Sequence, residues 1–169
     1  MRRRRAIARL AKPGTYALVF ECSEDALVSV GALGEVPVAK GYLVYIGSAF
    51  GPGGLLGRLR HHVGPLGRPR WHVDYLRRSA SLVGTWCASG PRSLEHLWAA
   101  RFSELRGFTI PRKGFGSSDC GCPTHLLHGR WRPTGRHTRA RLATAHEGAR
   151  VDYFGIDELK RAAGLPPAP

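Results

Sequence analysis

The sequence predicts an α/β protein of the α+β kind, a small central sheet flanked by helices, on three observations. Thr15 to Cys22 (TYALVFEC) and Tyr42 to Ile46 (YLVYI) are aromatic and β-branched runs that read as strands. From Gly41 to Val63 the chain switches from a strand pattern to a helix pattern across a glycine-rich corner, GSAFGPGG. Leu94, Leu97, Trp98, Phe102 and Leu105 then recur with the spacing of one helix face.

In chain order, Arg2 to Leu10 reads as a solvated basic tail ahead of a first helical turn. The strand Thr15 to Cys22 is opened by Pro13 and Gly14. A short strand at Leu27 to Val30 and a turn at Gly31 to Gly34 either widen the sheet or form an ear on it. After the strand at Tyr42 to Gly47, Leu55, Leu56, Leu59 and Val63 share a helical arc, with Arg58 and His62 one turn apart at its edge. Arg58, Arg60, His61 and His62 also fit the solvated side of an amphipathic helix. Arg70 to Arg78 (RWHVDYLRR) reads as helix ahead of exposed strand, with Trp71, Tyr75 and Leu76 inward. His72 and Asp74 read as packing residues ahead of chemical ones. Ser81 to Ala88 is a further strand, and Ser93 is the candidate N-cap of the next helix. Glu95 lies in that helix's first turn, where the macrodipole favours acids, yet it borders the buried arc.

Gly114 to Asp119 forms a loop, and Pro123 suits the first position of a short helix. Cys120, Cys122, His125 and His128 are together a candidate zinc set, although C-x-C-x2-H-x2-H is not a common finger spacing. Small buried cysteines are the plainer reading. Trp131 to Arg150 reads as a basic, proline- and glycine-broken connector, Val151 to Phe154 as an edge strand, Ile156 to Ala163 as a short helix and Leu165 to Pro169 as a frayed end. The organisation is a basic arm over 1–12, a domain over 13–129 and a basic extension over 130–169.

The 169 residues and 43% apolar content suit one domain with a core. The net charge of +14 exceeds what solubility requires and points to a polyanionic partner, nucleic acid ahead of an anionic membrane. Most of the 26 basic residues are arginine, whose fork matches phosphate bidentately, although a high-GC genome also enriches arginine. No apolar run reaches the length of a membrane span, and four unevenly spaced cysteines do not make a secreted disulfide scaffold. A cytoplasmic protein with reduced thiols or a metal site is expected.

Assembled, Gly14-Thr15-Tyr16, the corner YIGSAFGPGGL from Tyr45, WHVDYL from Trp71 and FGSSDCGCPTHL from Phe115 resemble the GIY-YIG nuclease superfamily over roughly Gly14 to His128. Tyr16 lies 29 positions before Tyr45, farther than usual in that superfamily, so Leu27 to Ala39 is expected to loop out. Ser48 stands where many relatives have lysine. The resemblance implies a mainly antiparallel sheet and a metal-dependent endonuclease acting on DNA ahead of RNA. Tyr16 and Tyr45 match the signature tyrosines, Arg58 the catalytic arginine, His62 an auxiliary position, and Glu95 the ligand of Mg²⁺ or Mn²⁺. A single hard carboxylate suits such ions, which keep most of their waters. Ser48, Arg60, Ser117, Ser118, Arg130 and Arg132 are the expected nucleic-acid contacts. The alternative is a non-catalytic nucleic-acid-binding module, an accessory to a repair enzyme, since relatives are sometimes fused to an endonuclease III-like glycosylase.

Overall fold

A computed structural model describes residues 1–166. In chain order the elements are α1 (Arg2–Arg9), β1 (Gly14–Cys22), β2 (Ala26–Val30), β3 (Gly34–Val38), β4 (Gly41–Ala49), α2 (Gly54–Val63), α3 (His72–Leu76) and β5 (Ser81–Ala88). They continue with α4 (Leu94–Ser103), β6 (Phe108–Thr109), β7 (Leu126–Gly129), α5 (Arg136–Ala143), β8 (Asp152–Gly155) and α6 (Ile156–Ala162). The fold is α+β, as the sequence predicts. Its six-stranded sheet runs β6-β7-β4-β1-β5-β8 with every neighbouring pair antiparallel.

The two long strands at the centre explain the layering. β1 is buried on both faces because alternate side chains feed two cores. Tyr16, Leu18 and Phe20 join Leu55 and Leu59 of α2, Val73 and Leu76 of α3, and Leu159 of α6. Ala17 and Val19 join Trp98 and Phe102 of α4 and Leu142 of α5 on the other side. β2 and β3 form their own two-stranded sheet, an ear whose Val28, Val30, Val36 and Val38 pack into the first core.

Several expectations are corrected. Arg2 to Leu10 is no solvated tail: Ala6 and Leu10 of this helix and its C-cap are buried, Arg3 pairs with Glu158, and Arg9 meets Asp152 at 2.5 Å. The described part of the basic extension, residues 130–166, is built into the fold, since α5 covers one core and β8 pairs with β5 from Gly84↔Gly155 to Cys87↔Asp152. No helix starts at Pro123; Leu126–Gly129 instead extends along β4, whose unpaired edge is the stronger local partner for so short an apolar run. Ser93 stands at the N-cap position as expected, its carbonyl accepting from Leu97 N–H at 3.1 Å, but its side chain makes no capping hydrogen bond, since Pro91 and Arg92 carbonyls accept from Leu94 and Glu95 in a turn. Leu97 is 40% exposed, leaving Leu94, Trp98, Phe102 and Leu105 as the buried stripe. The expected frayed end runs past the described residues, while Leu165 N–H still bonds Lys160 O at 2.8 Å.

Candidate functional site

A polar cleft of about 430 Å³ opens beside the β4 end that leads into α2. β1 contributes Tyr16, β4 contributes Tyr45 and Ser48, α2 contributes Arg58, and the first turn of α4 contributes Glu95. Arg70, Trp71 and His72 wall it from the start of α3, and Gly116, Ser118 and Asp119 from the loop before β7.

The two tyrosines lie on one sheet face. Tyr16 pairs with Gly47, two residues along β4 from Tyr45. A Cβ at position 47 would sit 2.5 Å from the Tyr16 hydroxyl, so glycine there is what lets the phenol cross its neighbour strand. Gly116, at φ +69°, likewise leaves room for Tyr45, whose Cε2 a Cβ would meet at 2.7 Å.

Tyr16 Oη is 3.0 Å from His62 Nε2. Burial lowers the His62 pKa to about 3, outweighing the pull of Asp74 in the opposite direction, so the imidazole is neutral at physiological pH. Burial also raises Tyr16 well above its ordinary value, and Tyr45 is raised by burial first and by Glu95 second. Both phenols therefore stay protonated. Tyr16 donates to Nε2 in the tautomer that carries the ring proton on Nδ1, the nitrogen 3.9 Å from Asp74 Oδ1.

Arg58 is held by stacking, its Cζ 4.1 Å from the Trp71 ring centroid, and Arg70 approaches the same ring at 5.4 Å. Neither guanidinium has an acidic partner among the described residues. Trp71 is itself set by Asp74, whose carboxylate accepts from the backbone N–H of Arg70 (2.9 Å) and Trp71 (3.1 Å) and lies 3.0 Å from His61 Nε2. Burial raises the Asp74 pKa, but those donors more than offset it and leave the carboxyl below its ordinary value. Asp74 is thus a helix-start cap, in keeping with the packing reading; His72 lines the cleft and accepts from Gly116 N–H through Nδ1 at 3.2 Å.

Glu95 behaves similarly. Burial pushes it up, while His125 and Ser48 more than compensate, so its carboxyl titrates below the usual range. His125 Nδ1 lies 3.2 Å from Glu95 Oε1, close enough for an ion pair though without aligned hydrogen-bond geometry. The other side of the same imidazole faces sulfur, with Nε2 3.5 Å from Cys120 Sγ.

Of the sequence-predicted residues, Tyr16, Tyr45, Ser48, Arg58, Glu95 and Ser118 line the cleft, and His62 stands directly behind Tyr16. Arg60 points away and donates to Ala163 O, Ser117 is buried, and Arg132 donates to Val83 O. Neither Arg130 nor Arg132 lines the cleft. The expected zinc set is corrected in one member: His128 lies on β7 with Nε2 3.2 Å from Lys40 O, while His96 of α4 joins Cys120, Cys122 and His125. The described residues thus include groups compatible with a metal ion, His96, Cys120, Cys122 and His125 among them; His61, His62 and Asp74 also converge. Sequence reasoning did not single out Arg70, Trp71 and Asp119 for the cleft or His96 for the cysteine cluster. Trp71 had a signal in the WHVDYL motif, and Asp119 in the GSSD loop; His96, 24 positions before Cys120, had none.

Fold and site together define an α+β protein with a polar cleft, lined by both basic and acidic side chains, at the end of a central strand pair. The chain belongs to the family described as the domain of unknown function DUF123, which matches residues 15–151. That span holds every residue that lines the cleft. No curated protein and no solved structure matches the chain.

Proposed function

We propose that the protein is a GIY-YIG-type endonuclease that hydrolyses phosphodiester bonds in DNA with Mg²⁺ or Mn²⁺ at Glu95, working in the cytoplasm. The observation that carries this reading is that Tyr16, Tyr45, Arg58 and Glu95, spread over 80 positions of sequence, line one cleft. The donor set fits a hard cation. Glu95 is held ionised, its side chain is 19% exposed, and the polar cleft it borders leaves volume for a hydrated ion. When bound, such an ion supplies Lewis acidity toward a phosphoryl oxygen.

The chain's own groups divide the remaining work. Arg58, stacked over Trp71 and without an acidic partner among the described residues, is preorganised to fork onto phosphate oxygens. With its O–H turned to His62, Tyr16 offers oxygen lone pairs that orient an attacking water. Tyr45, kept as the neutral phenol, donates a hydrogen bond to charge developing on the phosphate. Arg70 and Ser118 at the walls suit backbone phosphates beside the scissile one.

A second reading is a non-catalytic nucleic-acid module serving a repair enzyme. It is favoured by the lack of a free neutral base: Nε2 of His62 is taken by Tyr16 and Nδ1 of His72 by Gly116 N–H. Nicked, branched and single-stranded DNA incubated with Mg²⁺ or Mn²⁺ separates the two. Wild-type cleavage is expected, with Glu95→Ala and Arg58→Ala each slower by about 100-fold or more. Identical background rates in all three proteins would leave only the binding module.

A further inference from the structure

We propose that His96, Cys120, Cys122 and His125 form a zinc site beside the cleft, clamping the loop before β7 to the first turn of α4. The four come from separate places: His96 from α4, the cysteines from the loop, and His125 from the residue just ahead of β7. One donor atom from each lies within 4.8 Å of all the others. His96 Nδ1 is 3.3 Å from Cys122 Sγ, and His125 Nε2 is 3.5 Å from Cys120 Sγ. A tetrahedral zinc with Zn–S of about 2.3 Å and Zn–N of about 2.0–2.1 Å sets its nitrogen and sulfur ligands about 3.5 Å apart. Two of the six edges of the tetrahedron they would form are therefore already near that length, and the others lie within 4.8 Å.

Their chemistry selects the ion. Two thiolates and two imidazoles suit zinc and disfavour the hard magnesium that a carboxylate prefers. Four protein donors close the site, which makes it structural.

The loop has need of such a clamp. Between Thr109 and Leu126 it contains no helix or strand, and it is long for a compact domain. Internal bonds shape it, Gly114 N–H to Pro123 O and His125 N–H to Phe115 O, each at 2.8 Å, and its flanks are tied to the fold by Gly116 N–H to His72 Nδ1 at 3.2 Å, Ile46 N–H to His125 O at 2.9 Å and the buried Phe115, which leaves the turn from Ser118 to Cys122 as the part a clamp would hold. The loop carries Gly116, Ser118 and Asp119 into the cleft wall. Zinc would tie its free turn to a helix.

His125 supplies an independent sign. It is 2% exposed, and its Nδ1 is a buried donor without an aligned hydrogen-bond partner, set 3.2 Å from Glu95 Oε1. With Nε2 on zinc the ring proton must sit on Nδ1, facing a carboxylate, which is the outer-shell arrangement that metal-bound histidines commonly adopt.

Full-length protein purified with a thiol reductant and no chelator should contain one zinc per chain by elemental analysis. Cys120→Ser, Cys122→Ser and His96→Ala should each bring zinc to background, and His128→Ala should retain it. Cobalt titrated into the metal-free wild type should give the strong visible absorption of a tetrahedral thiolate site, a readout that does not depend on whether any variant folds. Wild type that holds neither zinc nor cobalt overturns the proposal, as does a stoichiometric different metal, or zinc kept by His96→Ala and lost from His128→Ala. Metal content is measured without DNA, so the result stands apart from whether the cleft is a nuclease.

Discussion

His62 is 1% exposed and bonded to the Tyr16 hydroxyl, and this pair fixes how the protein answers acid. An unfolded histidine takes up its proton near pH 6.5, whereas folded His62 resists protonation down to about 3. Between those values the unfolded chain binds more protons. The stability that His62 contributes is thus complete above about pH 6.5 and is lost as pH falls through the window, by at most about 1.4 kcal/mol per pH unit. Urea unfolding at successive pH values should show this slope beginning well above the carboxyl range, and His62→Gln should flatten it. A wild-type slope confined below pH 4 would mean that the imidazole is solvated. Tyr45 and Arg58 were legible as candidates because they sit where a pattern breaks, at a strand end and a helix edge, whereas Tyr16 and Glu95 stood out through the resemblance of their motifs. Arg70 and Trp71 were not read as cleft residues, since what turns them there is the Asp74 cap on their backbone N–H groups, a contact that composition does not display.

Between elements, the most consequential contact is that of α1 with α2. The first N–H groups of α2 lack a side-chain cap, because Gly53 stands at the N-cap position. Leu55 N–H instead donates to Lys12 O at 3.0 Å and Leu56 N–H to Leu10 O at 2.6 Å, so the end of the basic arm caps the helix that presents Arg58. Leu10 anchors the arrangement at 1% exposure. Leu10→Ala should therefore cost about 2–4 kcal/mol in chemical denaturation, the usual range for a buried leucine. A loss under about 0.5 kcal/mol would return the arm to the status of a tail. The sequence disguised α1 because only Ala6, Ile7, Ala8 and Leu10 interrupt its charges, too few for periodicity to speak. The long strands and α2 were readable for the opposite reason: nine-residue β1 and β4 are apolar along most of their length since helices cover both faces. β7 is only four residues long and owes its conformation to pairing with β4, which no local signal encodes.

Across the whole molecule, 26 basic side chains face 12 acidic ones, and the structure shows where the excess gathers. A second cleft of about 500 Å³ is walled by α1 and by Arg139 and Arg150. Arg3 and Arg9 there are paired with Glu158 and Asp152, while Arg2, Arg5, Arg139 and Arg150 have no acidic partner among the described residues. Arg58 and Arg70 supply the positive charge in the main cleft, beside Glu95 and Asp119. If DNA spans both regions, about four to six phosphates are neutralised, and the logarithm of the binding constant should fall against the logarithm of salt with a slope of about −4 to −5. The combined variant Arg2→Ala, Arg5→Ala and Arg139→Ala should flatten that slope by up to about 3 and weaken every DNA sequence alike, because phosphate contacts carry no base information. On the proposed nuclease reading its cleavage rate at saturating DNA should match wild type, whereas Arg58→Ala should lose rate even when saturated, since that reading has one set of arginines hold the polymer and the other meet the reacting phosphate. An unchanged slope in the triple variant would detach the second cleft from DNA, and a wild-type slope near zero would remove nucleic acid as the partner of either.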